Sequence, residues 1–296
     1  MWEDLLKDIV LGNTKSLARA ISLVENEVEG YEWLLQELPV SSAKIIGITG
    51  PPGAGKSTLT DGLIGEIIAK NKKVGVLCID PSSPFNLGAL LGDRIRMSEW
   101  YNHPAVFIRS LATRGSLGGL HPKIIEIADV MKAAGFDHII VETVGVGQSE
   151  IEIAGLADTT VVVMVPEAGD EVQTMKAGLM EIADIFVVNK ADRPDADTFV
   201  KNLRMMLAPA FNRSAHEIAI VKTVASEKEG IAALFEKIEE HQQLVQSSDK
   251  KYWLLAEKAF HLIQQQRMKN VNKLALKKEI EESGDANLYQ FIKRYI

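Results

Sequence analysis

The chain has 296 residues, room for two domains at roughly 150 residues each or for one large α/β domain with appendages. Apolar residues make up 46% and charged residues 25%, ordinary globular usage that argues against collagen-like, disulfide-framework and wholly disordered chains. With 33 Lys and Arg against 40 Asp and Glu the formal charge is -7, and no basic run would track a duplex, so no nucleic acid partner is expected.

The opening Met1-Trp2-Glu3-Asp4 is acidic where a secretory leader would be basic, and no stretch approaches the roughly 18 apolar residues of a membrane span. A cytoplasmic protein with no membrane partner is expected. Residues 1–40 read as short amphipathic helices: Leu5, Leu6, Ile9 and Val10 share a face, Gly12-Asn13 breaks the pattern, and a second periodic run passes through Leu17, Ile21, Leu23 and Val24. Residues 41–245 form the next expected domain. Short β-branched runs alternate there with helical ones, and strands are predicted at 45–49, 74–79, 105–108, 138–141, 159–165, 185–188 and 218–221. Runs that are apolar throughout suit strands covered on both faces, and helix-length crossovers between them predict a doubly wound, mostly parallel sheet with its ligands at the strands' carboxyl ends. The lone Cys78 lies inside one of these runs and reads as a small core residue. Only helical patterns follow: Ile231 to Leu244, about Lys250 to Gln266, and Asn272 to Ile296, with Ser247-Ser248-Asp249 as a break and helix start. Residues 246–296 are a candidate dimerisation arm, with packing back onto the chain's own domain as the alternative.

Gly50-Pro51-Pro52-Gly53-Ala54-Gly55-Lys56-Ser57 matches G-x-x-x-x-G-K-[ST] between a predicted strand and the helix-like run Thr58 to Lys70, the context that motif requires. Glycines let backbone N–H groups turn toward a polyphosphate, and the helix N-terminus adds partial positive charge. Lys56 would reach the β and γ phosphates, and the Ser57 hydroxyl would ligate Mg²⁺. Pro51 stands where ATPases of the plasmid-partition kind carry a second lysine, which argues against that group.

Asn189-Lys190-Ala191-Asp192 follows the strand at 185–188 and resembles the guanine-reading motif of GTPases. A carboxylate at Asp192 accepts two hydrogen bonds, from guanine N1–H and the 2-amino group, which adenine cannot offer. Lys190 would lay its stem over the ring and Asn189 would brace the loop. Glu142-Thr143-Val144-Gly145 presents E-x-x-G at a strand end. There Glu142 would hold the metal or its water, and Gly145 would offer its N–H to the γ phosphate. This resembles the GTPases that assist metalloenzyme assembly. Nickel and cobalt couriers among them carry Cys and His clusters, whereas here Cys78 is alone and the six histidines show no ligand spacing.

Three further stretches narrow the likeness: Asp80-Pro81-Ser82-Ser83-Pro84 running on to Gly92-Asp93-Arg94-Ile95-Arg96-Met97; Thr113-Arg114-Gly115-Ser116-Leu117-Gly118-Gly119; and Glu142 to Glu150. Together they resemble the MeaB/ArgK family, G-protein chaperones of adenosylcobalamin-dependent methylmalonyl-CoA mutase. The resemblance implies a P-loop GTPase of the G3E/SIMIBI-like kind that docks on an acyl-CoA mutase, gates cofactor transfer from an adenosyltransferase, and forms a homodimer. It implies that Lys56, Ser57 and Thr58 bind phosphate and Mg²⁺, and that Asp80, Asp93 and Glu142 surround the metal. Gln148 then lies in a mobile switch, and Asp170 and Lys176 couple nucleotide state to the partner; without the family, Asp93, Asp170 and Lys176 read equally as solvated surface residues. Thr223-Val224-Ala225 would stand in for a third guanine loop, with a backbone N–H near Ala225 on guanine O6. No glutamine directly follows Gly145, so slow turnover of GTP to GDP is expected, accelerated by a partner or by one of Arg94, Arg96 and Arg114. An ArgK-like ATPase or kinase tied to basic amino-acid transport is the competing reading, and a helical dimer with a vestigial site is a third.

Overall fold

The computed structural model describes all residues except 81–96, 115–119, 144–148, 169–181, 212–217, 247–249, 285–286 and 296. Three short helices come first, α1 (Trp2–Val10), α2 (Thr14–Glu25) and α3 (Tyr31–Gln36). Leu5 and Ile9, one turn apart, are buried, and Leu17, Ala20, Ile21 and Val24 continue the apolar face on α2. Val10, expected on the α1 face, is half exposed, because it lies about 100° around the helix from Ile9. Asn13 starts α2 as its N-cap: its side-chain oxygen accepts from the N–H groups of Lys15 at 3.0 Å and Ser16 at 3.1 Å.

The centre is a seven-stranded sheet of β1 (Lys44–Thr49), β2 (Val74–Asp80), β3 (Val106–Ala112), β4 (His138–Glu142), β5 (Thr159–Met164), β6 (Ile185–Asn189) and β7 (Ala219–Thr223). Their order is β3-β2-β4-β1-β5-β6-β7, and every pairing is parallel. All seven predicted strands exist. The third is three residues longer than its apolar run, because an edge strand buried on fewer sides tolerates the polar Arg109 and Ser110 in mid-course. The five inner strands are almost wholly buried, the result expected when helices cover both faces.

The covering helices are α4 (Lys56–Ala69), α5 (Ile124–Ala133), α6 (Ser149–Leu156), α7 (Ala196–Phe211) and α8 (Ile231–Gln246). Helix α4 is apolar nearly all round and buries Leu59, Leu63, Ile64 and Ile67, as a helix sandwiched between sheet and α8 must. One core unites β1, β2, β4, β5, α4 and Leu234, Phe235 and Ile238 of α8; a second packs Phe199, Val200, Leu203 and Leu207 of α7 on β5 and β6. Strand β1, flanked by β4 and β5, stands where the chain's progress across the sheet reverses. In such folds the crevice at that point receives the ligand.

The chain divides into two compact units, Met1–Lys251 and Tyr252–Ile296. The second holds most of α9 (Lys250–Met268), then α10 (Lys273–Ser283) and α11 (Leu288–Ile292). The last predicted helical segment is thus two helices: Gly284 takes a left-handed φ of 68° after α10, and Asn287 caps α11 through the N–H groups of Tyr289 and Gln290. Within this unit Phe291 is buried and Tyr295 donates to Glu279 at 2.7 Å. Tyr252, Trp253, Leu255, Phe260 and Ile263 are each more than half exposed. Among the described residues no helix is long and apolar enough to cross a membrane.

His138, opening β4, is buried edge-on against Phe235, and neither ring nitrogen has a hydrogen-bond partner. Burial first, then the Lys72 charge, lower its pKa to about 4, with Glu239 and Asp137 pulling upward and Lys70 downward. The unfolded chain takes up this proton below its ordinary pKa of about 6.5 while the folded one stays neutral. The stability is therefore whole above about pH 6.5 and is lost as pH falls toward 4. At pH 5 the loss is about 2 kcal/mol from this residue. Urea melts at pH 7 and pH 5 should show a His138→Leu protein losing about 2 kcal/mol less than wild type over that interval; equal losses would contradict the assignment.

Candidate functional site

The loop from Gly50 to Gly55 joins β1 to α4 at the sheet's carboxyl edge. Gly50 has φ 138° and Gly55 φ 90°. A Cβ on Gly50 would run into the Val163 carbonyl of β5, and one on Gly55 into the Asn189 amide, so both positions demand glycine for conformation and for space. Ala54 is buried, Pro51 half buried, and Pro52 and Gly53 are exposed. Lys56 is nearly buried, and its Nζ donates to the carbonyls of Gly50 at 2.9 Å and Pro51 at 3.1 Å. The ammonium thus lies across the mouth of the loop, with Ser57 and the half-buried Thr58 beside it in the first turn of a 14-residue helix. A helix N-terminus, its positive dipole end and a lysine at one spot make an anion cradle.

Glu142 ends β4 and is 3% exposed. Ser57 Oγ donates to its Oε1 at 2.7 Å, and Thr60 Oγ1 lies 2.8 Å from Oε2. Thr143 donates to the Thr49 hydroxyl at 2.9 Å, fastening β4 to β1 just below the loop. Asp80 ends β2, two residues beyond Cys78, which pairs with Glu142, and it too is buried. Its carbonyl accepts from the Thr113 N–H at 3.0 Å. A serine hydroxyl whose proton goes to a carboxylate keeps a lone pair for a cation. Hard oxygens from Ser57, Glu142 and Asp80 at this edge fit Mg²⁺ with water completing its shell. Among the described residues no group of three or more His, Cys, Asp or Glu gathers as a metal site.

Asn189 ends β6 and is 2% exposed. Its Nδ2 donates to the Ala54 carbonyl at 2.8 Å, while its Oδ1 accepts from Thr223 Oγ1 and the Ala225 N–H, both at 3.1 Å. Lys190, at φ 55°, donates to the Gly53 carbonyl at 2.8 Å. Four segments meet here: the phosphate loop, the end of β6, the end of β7 and the turn after it. Asp192 follows in an exposed turn. Beside it Arg193 pairs with Glu167, whose carboxyl is held below the usual range first by that hydrogen bond. The Ala225 N–H, expected from sequence on guanine O6, donates here to Asn189 Oδ1 at 3.1 Å.

Asp93, Arg94, Arg96, Gly145, Gln148, Asp170 and Lys176 lie outside the described residues. Arg114, the remaining candidate arginine, binds the end of α2: it donates to Glu25 Oε1 at 2.9 Å, the Glu25 carbonyl at 3.0 Å and Asn26 Oδ1 at 3.2 Å. Arg109 shares Glu25 at 3.2 Å. The neighbouring His121 is buried, and its pKa falls to about 4 mainly through burial, against the pull of Glu25 and with the help of Arg114 and Lys123. Thr60 is the site residue that motif reading missed. It lies one turn past Lys56, and its partner Glu142 is 82 residues away, so no local motif marks it.

The family model described as methylmalonyl Co-A mutase-associated GTPase MeaB matches residues 17–280. A Pyrococcus abyssi protein named as a GTPase is 50% identical over 253 residues, 84% of this chain and 78% of its own. The fused isobutyryl-CoA mutase of Geobacillus kaustophilus is 36% identical over 239 residues, 76% of this chain and 22% of that longer one. Among solved structures, a LAO/AO transport system kinase superposes with a TM-score of 0.73 at 27% identity, covering 95% of this chain and 88% of its own.

Proposed function

The chain belongs to the methylmalonyl-CoA mutase-associated GTPase MeaB family, and from that premise we propose that it is a Mg²⁺-dependent GTPase that docks on an adenosylcobalamin-dependent acyl-CoA mutase. There it gates loading of the cofactor delivered by an adenosyltransferase and protects the mutase. The observation that carries the reading is the Asn189 side chain, which ties the phosphate loop at Ala54 to the guanine motif and to Thr223 and Ala225. One nucleotide spanning both ends of that junction would be held as a unit. The fused mutase relative supports the choice of partner, since in it a stretch similar to this chain and a mutase share one polypeptide.

In this reading Lys56 leaves the Gly50 and Pro51 carbonyls for the β and γ phosphates, the N–H groups from Gly53 to Thr58 surround them, and Asp192 takes the guanine edge. Ser57, Asp80, Glu142 and Asp93 would hold Mg²⁺, whose charge offsets that growing on the bridging oxygen during in-line attack by water. Gly145 and Gln148 would face the γ phosphate, with Asp170 and Lys176 passing its presence to the mutase. Arg114 is held at Glu25 and no glutamine directly follows Gly145, so slow turnover without a partner is expected. The exposed apolar residues of α9 supply the face of a homodimer in the cytoplasm.

The likeness to a LAO/AO transport system kinase favours one other reading, an ATP-using kinase, and the two part at the base. Titration with fluorescent GDP and ADP should show a preference for GDP of at least about 100-fold, from two hydrogen bonds that adenine cannot make. An ADP preference would overturn the assignment. Light scattering of the chain alone and mixed with methylmalonyl- or isobutyryl-CoA mutase reads the dimer and the complex in one experiment.

A further inference from the structure

Glu142 is fastened on both carboxylate oxygens by hydroxyls of a single helix. Ser57 supplies the first, at 2.7 Å; the second is Thr60, whose Oγ1 lies 2.8 Å from Oε2. Thr60 is wholly buried among Leu59, Leu63 and Ile64, also inaccessible. Its hydroxyl stands 3.0 Å from the Lys56 carbonyl as well, the contact a helical threonine makes by default. An ionised carboxylate only accepts hydrogen bonds. At 2.8 Å the single Thr60 proton therefore lies toward Oε2, and the carbonyl receives the weaker share.

Resting on the GTPase reading above, we propose that Thr60 is a positioning residue for the metal: it fixes the plane of the Glu142 carboxylate so that the Ser57 proton turns to Oε1 and the Ser57 lone pair is presented to Mg²⁺. Without that hydroxyl the carboxylate loses its hold at Oε2, its plane is less fixed, and the orientation of the serine bonded to Oε1 is loosened with it. The contacts to base and phosphates use other atoms and stay. Residues that orient metal ligands in this way are typically worth about 10- to 100-fold in metal affinity.

The test compares Thr60→Val, which keeps the volume and removes the hydroxyl, with Thr60→Ser, which keeps the hydroxyl. Thr60→Val should raise the Mg²⁺ concentration for half-maximal GTP hydrolysis about 10-fold or more, with GDP affinity in EDTA unchanged. Thr60→Ser should restore the wild-type midpoint, which a purely packing role would not require. In a Glu142→Gln background the Thr60→Val change should add no further shift. If Thr60→Val does not fold, Thr60→Ala carries the same comparison. An unmoved Mg²⁺ midpoint, a Thr60→Ser protein as impaired as Thr60→Val, or an additive shift on Glu142→Gln overturns the inference while leaving the GTPase reading standing. A wild-type protein that binds no guanine nucleotide overturns both.

Discussion

Phosphate release from GTP should fall roughly 10²- to 10³-fold in a Lys56→Ala protein, the usual cost of deleting one donor aimed at a transition-state oxygen, while the melting temperature should stay close to wild type. The separation follows from where Lys56 sits. Its ammonium holds two carbonyls of the loop, those of Gly50 and Pro51, and Pro51 is half buried with Pro52 and Gly53 exposed beside it, so water can reach the Pro51 carbonyl when the donor is removed. The loop itself is secured elsewhere, by Asn189 at Ala54 and Lys190 at Gly53. Lys56→Arg should fare little better than alanine, since a planar fork cannot act as a compact point charge between two phosphates. Single-turnover phosphate release with saturating GTP and Mg²⁺, run beside thermal melts, checks both halves. Unchanged release would revive the vestigial-site reading, and a large drop in melting temperature would make Lys56 a structural residue instead.

The parts of the site that were legible are those where ligand chemistry dictates residue type at fixed spacing. A phosphate cradle needs glycines at left-handed positions and a lysine at the helix start, so Gly50 to Ser57 could be read directly. The inner strands were legible because burial on both faces forces unbroken apolar runs; β3, at the edge, admits Arg109 and Ser110 and so hid its last four residues. What sequence could not disclose depends on partners far apart in the chain. The grip of Glu25 on Arg114 crosses 89 residues, and that of Thr60 on Glu142 crosses 82, and neither leaves a local pattern. Ala225 is a subtler case. Its position was readable from the Thr223-Val224-Ala225 run, but which acceptor its N–H meets depends on the rotamer of Asn189, a side chain 36 residues away.

In the proposed GTPase guanine selectivity rests on the Asp192 side chain, and changing it should exchange the ligand rather than simply weaken it. Asp192 sits in an exposed turn, held in place by the Ala191 N–H on the Thr223 carbonyl at 3.0 Å and the Arg193 N–H on the Lys190 carbonyl at 3.1 Å. An Asp192→Asn substitution leaves that backbone and Asn189 intact, so the turn keeps its shape. The amide accepts from purine N1–H but presents its NH₂ to the guanine 2-amino group, donor against donor. One charge-assisted hydrogen bond of about 1.5–3 kcal/mol is forfeited and the other is reduced to a neutral one, and GDP affinity should fall by about 10²- to 10³-fold. Xanthine carries a carbonyl where guanine carries that amino group, so the same amide now matches it, and XDP should bind the variant better than GDP does. Competition titrations of GDP, XDP and ADP against wild type and Asp192→Asn measure this directly. A variant that loses GDP without gaining XDP would mean that the substitution disturbs the turn. A variant that keeps GDP at wild-type strength would mean that the base is read by some other residue.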